Sequence, residues 1–394
     1  MTLPDPTRLL PVAALACLLA ARSLQGVPSG LLFGTGLLLL AAWPGARLAS
    51  MRRRGTMAPG RENRALLVAV TVPAALAVLV AAVAIRAPGE RSGSHVVEDI
   101  GFDPVLGHGP LPVPGTDPST TVGERRHVPD PSRDPALLLG DSVLFGWGLP
   151  DEQTAARFLD GRLPGLQVLN ASVSGYSPEQ YLLYLDEILR RPGMRPRIVV
   201  LGLYAGNDYH SCGTSNWRGH SKPVYEVRDG GIAPWRSVTP AWNCVDLMGG
   251  SLLMKPFWRW KEGAEAFVNA ACGNRVLREP EHEQVVRGLL RAIRDRAEKS
   301  GTRLLVLLLP DRNDLDDRAT EYRRTLSRHD LLARILREEG LDAVAFADTL
   351  REPGRDLDEL FLPGDAAHYA PTGQRLLADV LEREIRRRLE GEPR

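Results

Sequence analysis

Neither sign of charge dominates this sequence, and several common signatures are missing from it. Its 49 Lys and Arg stand against 48 Asp and Glu, a formal net charge of +1, which points away from a polyanionic partner. No cluster interleaves basic with aromatic residues, so nucleic-acid binding is not expected. There is no internal repeat and no low-complexity tract beyond one Pro/Gly-rich stretch. A Gly-rich phosphate loop is absent, and the histidines show no metal-ligand spacing, so neither a metal nor a cofactor is expected. Cysteine is scarce. Cys17 lies in an apolar run, and Cys212, Cys244 and Cys272 all fall between 209 and 280. In an oxidising compartment those three allow one disulfide, with the pair left open, and one free thiol.

What the sequence does contain is unevenly spread. Residues 65–85 carry no charge over 21 positions, and 27–46 none over 20; each is long enough to cross a bilayer core. A third uncharged run, 9–21, has only 13 residues. The loop between the two long runs holds Arg47, Arg52, Arg53, Arg54, Arg61 and Arg64 against a single Glu62. A short basic loop is retained in the cytoplasm. The expected arrangement is therefore a membrane anchor at 1–86 with two or three transmembrane helices, and a remainder after Arg86 that is extracytoplasmic. A cleaved signal peptide fits three apolar runs and a basic loop less well. Residues 87–135, rich in Pro and Gly ("GFDPVLGHGPLPVPGTDPST"), read as an extended linker, with part of it able to lie along a sheet edge.

From 136 to 394, apolar runs alternate with amphipathic ones. Strands are expected at 136–140, 166–172, 197–204, 303–310 and 341–348, and helices at 151–161, 177–191, 281–299, 319–339 and 371–390. Short, nearly continuous apolar strands need cover on both faces. The fold class expected is α/β, a three-layer α/β/α sandwich around a mostly parallel five-stranded sheet. The insertion 209–280 is too long for a strand-to-helix loop. It contains "KPVYEVRDGGI", which reads as strand, Asp-Gly-Gly turn and strand, and five of the seven tryptophans (Trp217, Trp235, Trp242, Trp258, Trp260). It is either a cap that shapes a substrate cleft or a packed structural excursion.

Open α/β sheets expose reactive side chains where strands end. The first strand runs into "LLLGDSVLFGWG", placing Asp141 and Ser142 at its end. The second is followed by "NASVSGYS" with Gly175, and the third by "LYAGNDYH" with Gly206, Asn207 and Asp208. Before the last helix, "LPGDAAHYAPTG" sets Asp365 and His368 three residues apart. Each piece is weak alone, but together and in this order they resemble the SGNH (GDSL-type) hydrolases over roughly 136–385.

That resemblance implies a flavodoxin-like fold and a role for each matched residue. Ser142 would be the nucleophile, whose hydroxyl needs a neighbouring base. His368 would be that base, and Asp365 would hold its tautomer and stabilise the imidazolium. The oxyanion hole would consist of the Ser142 and Gly175 backbone N–H groups and the Asn207 side chain. A missing Cβ at Gly175 would let substrate approach the backbone. Asp141 and Asp208 read as loop-shaping acceptors, and His210 as a surface or cap histidine. The expected function is a membrane-anchored, extracytoplasmic serine esterase acting on acyl esters, O-acetyl groups on an envelope glycan or lipid above all. Two alternatives stand beside it: an O-acyltransferase using the same triad, and a glycan-binding or assembly protein with little turnover.

Overall fold

The computed structural model describes residues 100–110, 120–217, 220–235, 238, 276–316 and 328–390. The three apolar runs, Cys244, Cys272, Trp242, Trp258 and Trp260 lie outside the described residues. The chain divides into two compact units, and nearly all described elements belong to the one formed by 92–217, 222–238 and 275–394. Among the described residues no helix is long and apolar enough to cross a membrane.

The strands of three or more residues, in chain order, are β1 (Ile100–Asp103), β2 (Gly107–Pro110), β3 (Asp134–Leu139), β4 (Leu166–Asn170), β5 (Ile198–Tyr204), β6 (Tyr225–Arg228), β7 (Gly231–Pro234), β8 (Arg303–Leu309) and β9 (Ala343–Ala345). Five of them form one sheet in the order β9-β8-β5-β3-β4, and every pairing in it is parallel. Numbered by their appearance in the sheet, these strands run 2-1-3-4-5. The switch point lies between β3 and β5, where doubly wound folds place their sites.

Side chains alternate between the faces of a strand, and both faces here are buried. Leu137, Leu139, Val199, Leu201, Val306 and Leu308 belong to one core, together with Leu185, Leu289 and Ile335 from the helices on that side. Ala136, Leu138, Ile198, Val200, Leu305 and Leu307 belong to the other, with Leu159, Leu377 and Leu381. The strands read as unbroken apolar runs because neither face meets water.

The helices are α1 (Ser142–Phe145), α2 (Ala155–Leu159), α3 (Pro178–Arg190), α4 (Asp208–Cys212), α5 (Glu281–Lys299), α6 (His329–Glu338), α7 (Phe346–Leu350), α8 (Leu357–Leu360) and α9 (Pro371–Glu390). The helix expected at 151–161 is split. Pro150 leads into a short 3-10 turn at 151–153, and Thr154 then caps α2 by accepting from the Arg157 N–H. The strand expected at 341–348 is shortened to β9, because Phe346 turns inward and opens α7. Of the helix expected at 319–339, the described part is α6.

Two departures concern the segments flanking the sheet. Residues 100–110 are not an extended tether but an antiparallel hairpin, β1 with β2. Residues 120–127 close a tight loop in which Val122 and His127 exchange backbone hydrogen bonds. Leu106, His108, Val122 and Glu124 are buried there. Within 209–280, β6 and β7 form the expected hairpin, turning through Asp229 and Gly230, both at positive φ. Ile232 of β7 rests on Gly288 of α5, and Tyr225 joins the core. Cys212 is a buried thiol with no disulfide partner among the described residues; Cys244 and Cys272 lie outside them.

Candidate active site

Each of the four sequence blocks lies at the carboxyl edge of the sheet or beside it. β3 ends at Leu139, and after Gly140 the chain turns at Asp141 into α1, whose first residue is Ser142. Asp141 is fully buried and caps the helix, its Oδ1 accepting from the Val143 N–H at 3.0 Å. Gly146 ends α1 in the left-handed region, at φ 81°, a conformation that costs glycine little. The Ser142 side chain is thus held on a four-residue helix clamped at both ends.

The second ring of the site comes from the last loop. Phe361 and Tyr369 bridge its base, and the Tyr369 ring is buried with its hydroxyl donating to the Pro310 carbonyl at 3.1 Å. Across this base, His368 Nε2 lies 2.9 Å from Ser142 Oγ, and its Nδ1 lies 2.6 Å from Asp365 Oδ2. Asp365 Oδ1 accepts from the Ala367 and His368 N–H groups at 2.7 and 3.1 Å. Burial raises the Asp365 pKa, but the His368 hydrogen bond and charge, with these two N–H donors, outweigh it and hold the carboxyl below its ordinary value. A carboxylate that stays ionised fixes Nδ1–H and leaves Nε2 free to take the serine proton. Trp147 flanks the imidazole, the ring centroids 6.0 Å apart.

Asn207 follows β5, across the switch point. Its Nδ2 donates to Asp141 Oδ2 at 3.1 Å, and its Oδ1 is buried without a partner. The Asp141 carboxyl therefore does two things: one oxygen caps the helix that carries Ser142 and the other orients the Asn207 amide. Burial pushes the Asp141 pKa up to about 6, against the opposing pull of the Val143 N–H, His368 and Asn207. Asp208 is also a loop acceptor, taking the Tyr204 N–H at 2.8 Å and the Tyr181 hydroxyl. Burial, then the nearby Asp141 charge, raises its pKa well above the usual range. His210 is half-buried with its ring edge against Tyr209.

Gly175 sits in the turn after β4 at φ 76°. The position a Cβ would occupy is filled by the Trp217 indole. Close approach is the reason for glycine here, but the approaching group is a side chain of this protein. Of the two described tryptophans in the insertion, Trp217 reaches Gly175 and Trp235 packs against the core.

Several residues that shape the site carry no motif. Arg125, in the loop 120–127, donates to the carbonyls of Phe145, Gly146 and Leu149 at 2.9, 2.9 and 3.0 Å. It thereby grips the loop that follows Ser142. Its neighbour Glu124 is buried, and its Oε2 accepts from the Ser174 N–H at 2.8 Å. Burial raises the Glu124 pKa, against the Ser174 N–H and the charges of Arg125 and Arg126. Gln374 of α9 accepts from the Ala155 N–H at 2.9 Å. A buried cluster joins the second and third blocks: Lys222 pairs with Glu179 and donates to Ser177 Oγ at 2.6 Å and to the Ser211 carbonyl at 2.5 Å. Burial raises the Glu179 pKa, against the Lys222 charge. Among the described residues no group of His, Cys, Asp and Glu is placed to hold a metal ion.

A doubly wound parallel sheet bearing a Ser–His–Asp hydrogen-bond chain at its switch point is the arrangement that serine-type ester hydrolysis needs. A profile of the GDSL-like lipase/acylhydrolase family matches residues 138–376, more than half of the chain, and the chain belongs to that family, the SGNH ester hydrolases. No curated protein sequence matches the chain significantly. Solved structures with a similar course include a catalytic mutant of an acetylxylan esterase from Geobacillus stearothermophilus, 14% identical, covering 64% of this chain and 94% of that one, TM-score 0.39. A lipase/acylhydrolase from Enterococcus faecalis is 14% identical, covering 65% and 96%, TM-score 0.35. A psychrotrophic esterase from Pseudoalteromonas sp. is 14% identical, covering 65% and 99%, TM-score 0.34.

Proposed function

We propose that the protein hydrolyses short acyl esters, O-acetyl groups above all, through an acyl-enzyme on Ser142. The observation that carries this reading is the unbroken chain Ser142 Oγ, His368, Asp365 at 2.9 and 2.6 Å. In the first half-reaction Ser142 Oγ attacks the ester carbonyl, and His368 Nε2 takes the hydroxyl proton and returns it to the departing alcohol. Water then attacks the acyl-enzyme, giving its proton to His368 Nε2; the acyl–Oγ bond breaks, the acid leaves, and the proton passes back to Ser142 Oγ. The tetrahedral oxyanion would be met by the Ser142 and Gly175 N–H groups and by the Asn207 N–H not held by Asp141.

The reading places the catalytic domain outside the cytoplasm behind a membrane anchor at 1–86, with an acylated envelope glycan or lipid as substrate. The apolar runs 27–46 and 65–85 and the arginine-rich loop between them support this placement. Wild-type full chain and Ser142→Ala, each incubated with acetylated glycans and with a chromogenic acetate ester, test the chemistry. Acetate release by wild type alone is expected; equal release by the variant overturns the proposal. Acyl transfer only when a sugar hydroxyl is supplied would make the protein a transferase. For placement, a reporter active only outside the cytoplasm is expected to work when fused after Arg86 and to fail near Arg54; the reverse pattern removes the envelope substrate.

A further inference from the structure

The peptide joining Ser174 to Gly175 is gripped from a segment that precedes the family-matched residues. β2 carries His108, fully buried, with Nε2 3.2 Å from the Ser174 carbonyl oxygen and Nδ1 3.3 Å from Gln180 Nε2. The Gln180 amide nitrogen also donates to the Leu106 carbonyl at 2.8 Å. An amide nitrogen only donates, so Nδ1 of His108 is the acceptor and Nε2 carries the proton. His108 therefore donates to the Ser174 carbonyl.

A trans peptide is planar, with its C=O and N–H pointing in opposite directions. Fixing the Ser174 carbonyl consequently aims the Gly175 N–H. The same bond draws electron density onto the carbonyl oxygen and makes that N–H a stronger donor. The ring has little freedom to swing away. It stacks on Trp217 with centroids 4.4 Å apart and planes 12° from parallel, and the His108 carbonyl accepts from the Tyr176 hydroxyl at 3.0 Å. The Ser174 N–H is held separately by Glu124, as described above.

We propose that His108 is a positioning residue for the oxyanion hole, orienting and polarising the Ser174–Gly175 peptide, with Gln180 setting its tautomer. The inference rests on the reading of Ser142 as nucleophile and of the Gly175 N–H as an oxyanion donor. His108 touches no reacting atom and acts only through that peptide.

The test uses the full chain and a chromogenic acetate ester. His108→Phe keeps an aromatic ring against Trp217 but cannot donate, whereas His108→Gln places an amide N–H where Nε2 stood. Losing a direct oxyanion donor costs about 10²–10³-fold in kcat, and an indirect one less. His108→Phe is expected to lower kcat about tenfold with KM within about twofold, and to weaken an alkyl boronic acid inhibitor by the same factor as kcat. His108→Gln is expected to recover most of that loss. If His108→Phe does not fold, His108→Met against His108→Gln decides, since these side chains match in length and differ in the donor. Unchanged kcat in a folded donor-less variant, a loss confined to KM, or no recovery by His108→Gln overturns the inference. Full turnover by Ser142→Ala overturns the underlying esterase reading instead.

Discussion

Replacing Arg125 with Met should loosen the loop that follows the candidate nucleophile, and the structure limits by how much. The Arg125 side chain is 8% exposed, and its guanidinium makes three hydrogen bonds to backbone carbonyls, besides lying 4.2 Å over the Phe145 ring. Three independent bonds to a charged group would suggest a loss of roughly 4.5–9 kcal/mol. Two of the carbonyls keep another donor, however: Phe145 has the Asn170 amide at 3.3 Å and Gly146 has the Leu149 N–H at 3.2 Å. The Leu149 carbonyl is then the acceptor most exposed to loss, an orphan costing about 1–3 kcal/mol. The lost stacking on Phe145 adds about 0.5–2 kcal/mol. Sparing the desolvation of a buried cation offsets part of both. The expected destabilisation is therefore about 2–4 kcal/mol, and Arg125→Lys, which lacks the planar fork, should show about half of it. Urea unfolding of the full chain followed by tryptophan fluorescence measures the stability. A loop freed by about 1 Å should also lower kcat by about 10–100-fold. A loss below about 0.5 kcal/mol with unchanged kcat would refute the idea that this residue clamps the site.

Three further outcomes follow from buried groups. Burial raises the Asp141 pKa from 3.8 to about 6; the proton is held more tightly in the folded state, so its stabilisation is complete below about pH 4 and lost as pH rises through about 6. That loss is worth about 3 kcal/mol, so the stability of wild type relative to Asp141→Asn should fall by this amount from about pH 4 to about pH 7, and a pH-independent difference would contradict it. The same variant sets an amide N–H against the Val143 N–H or the Asn207 amide and should lower kcat about tenfold or more, read from steady-state kinetics on a chromogenic ester. Lys222→Met leaves Glu179 buried without its cation and should cost about 3–5 kcal/mol, while adding Glu179→Gln should recover part of it; equal losses in single and double variants would argue against the pair.

The sheet was legible because its strands are covered on both faces, which leaves Leu137, Val199 and Leu305 in unbroken apolar runs. The triad was legible because its members occupy strand ends or the last loop, where short motifs survive as contiguous letters. The supporting residues were not. Glu124 meets Ser174 from 50 positions away and His108 meets Ser174 from 66. Both stand in a stretch whose Pro and Gly content suggests only a linker, and neither sits in a periodic pattern. Contacts of that range depend on how residues 100–110 and 120–127 pack beside β4 and the turn after it, which local sequence does not encode. The sequence expects close approach at Gly175, but the group that approaches it, Trp217, comes from an insertion that no strand-end motif marks.

The identity of the nucleophile is tested most directly by reacting the full chain with a fluorophosphonate and mapping the modified peptide. The geometry predicts one adduct on Ser142, absent from Ser142→Ala and formed far more slowly in His368→Ala, whose serine has lost the base 2.9 Å away. An adduct on another residue, or unchanged labelling of Ser142→Ala, would contradict the account.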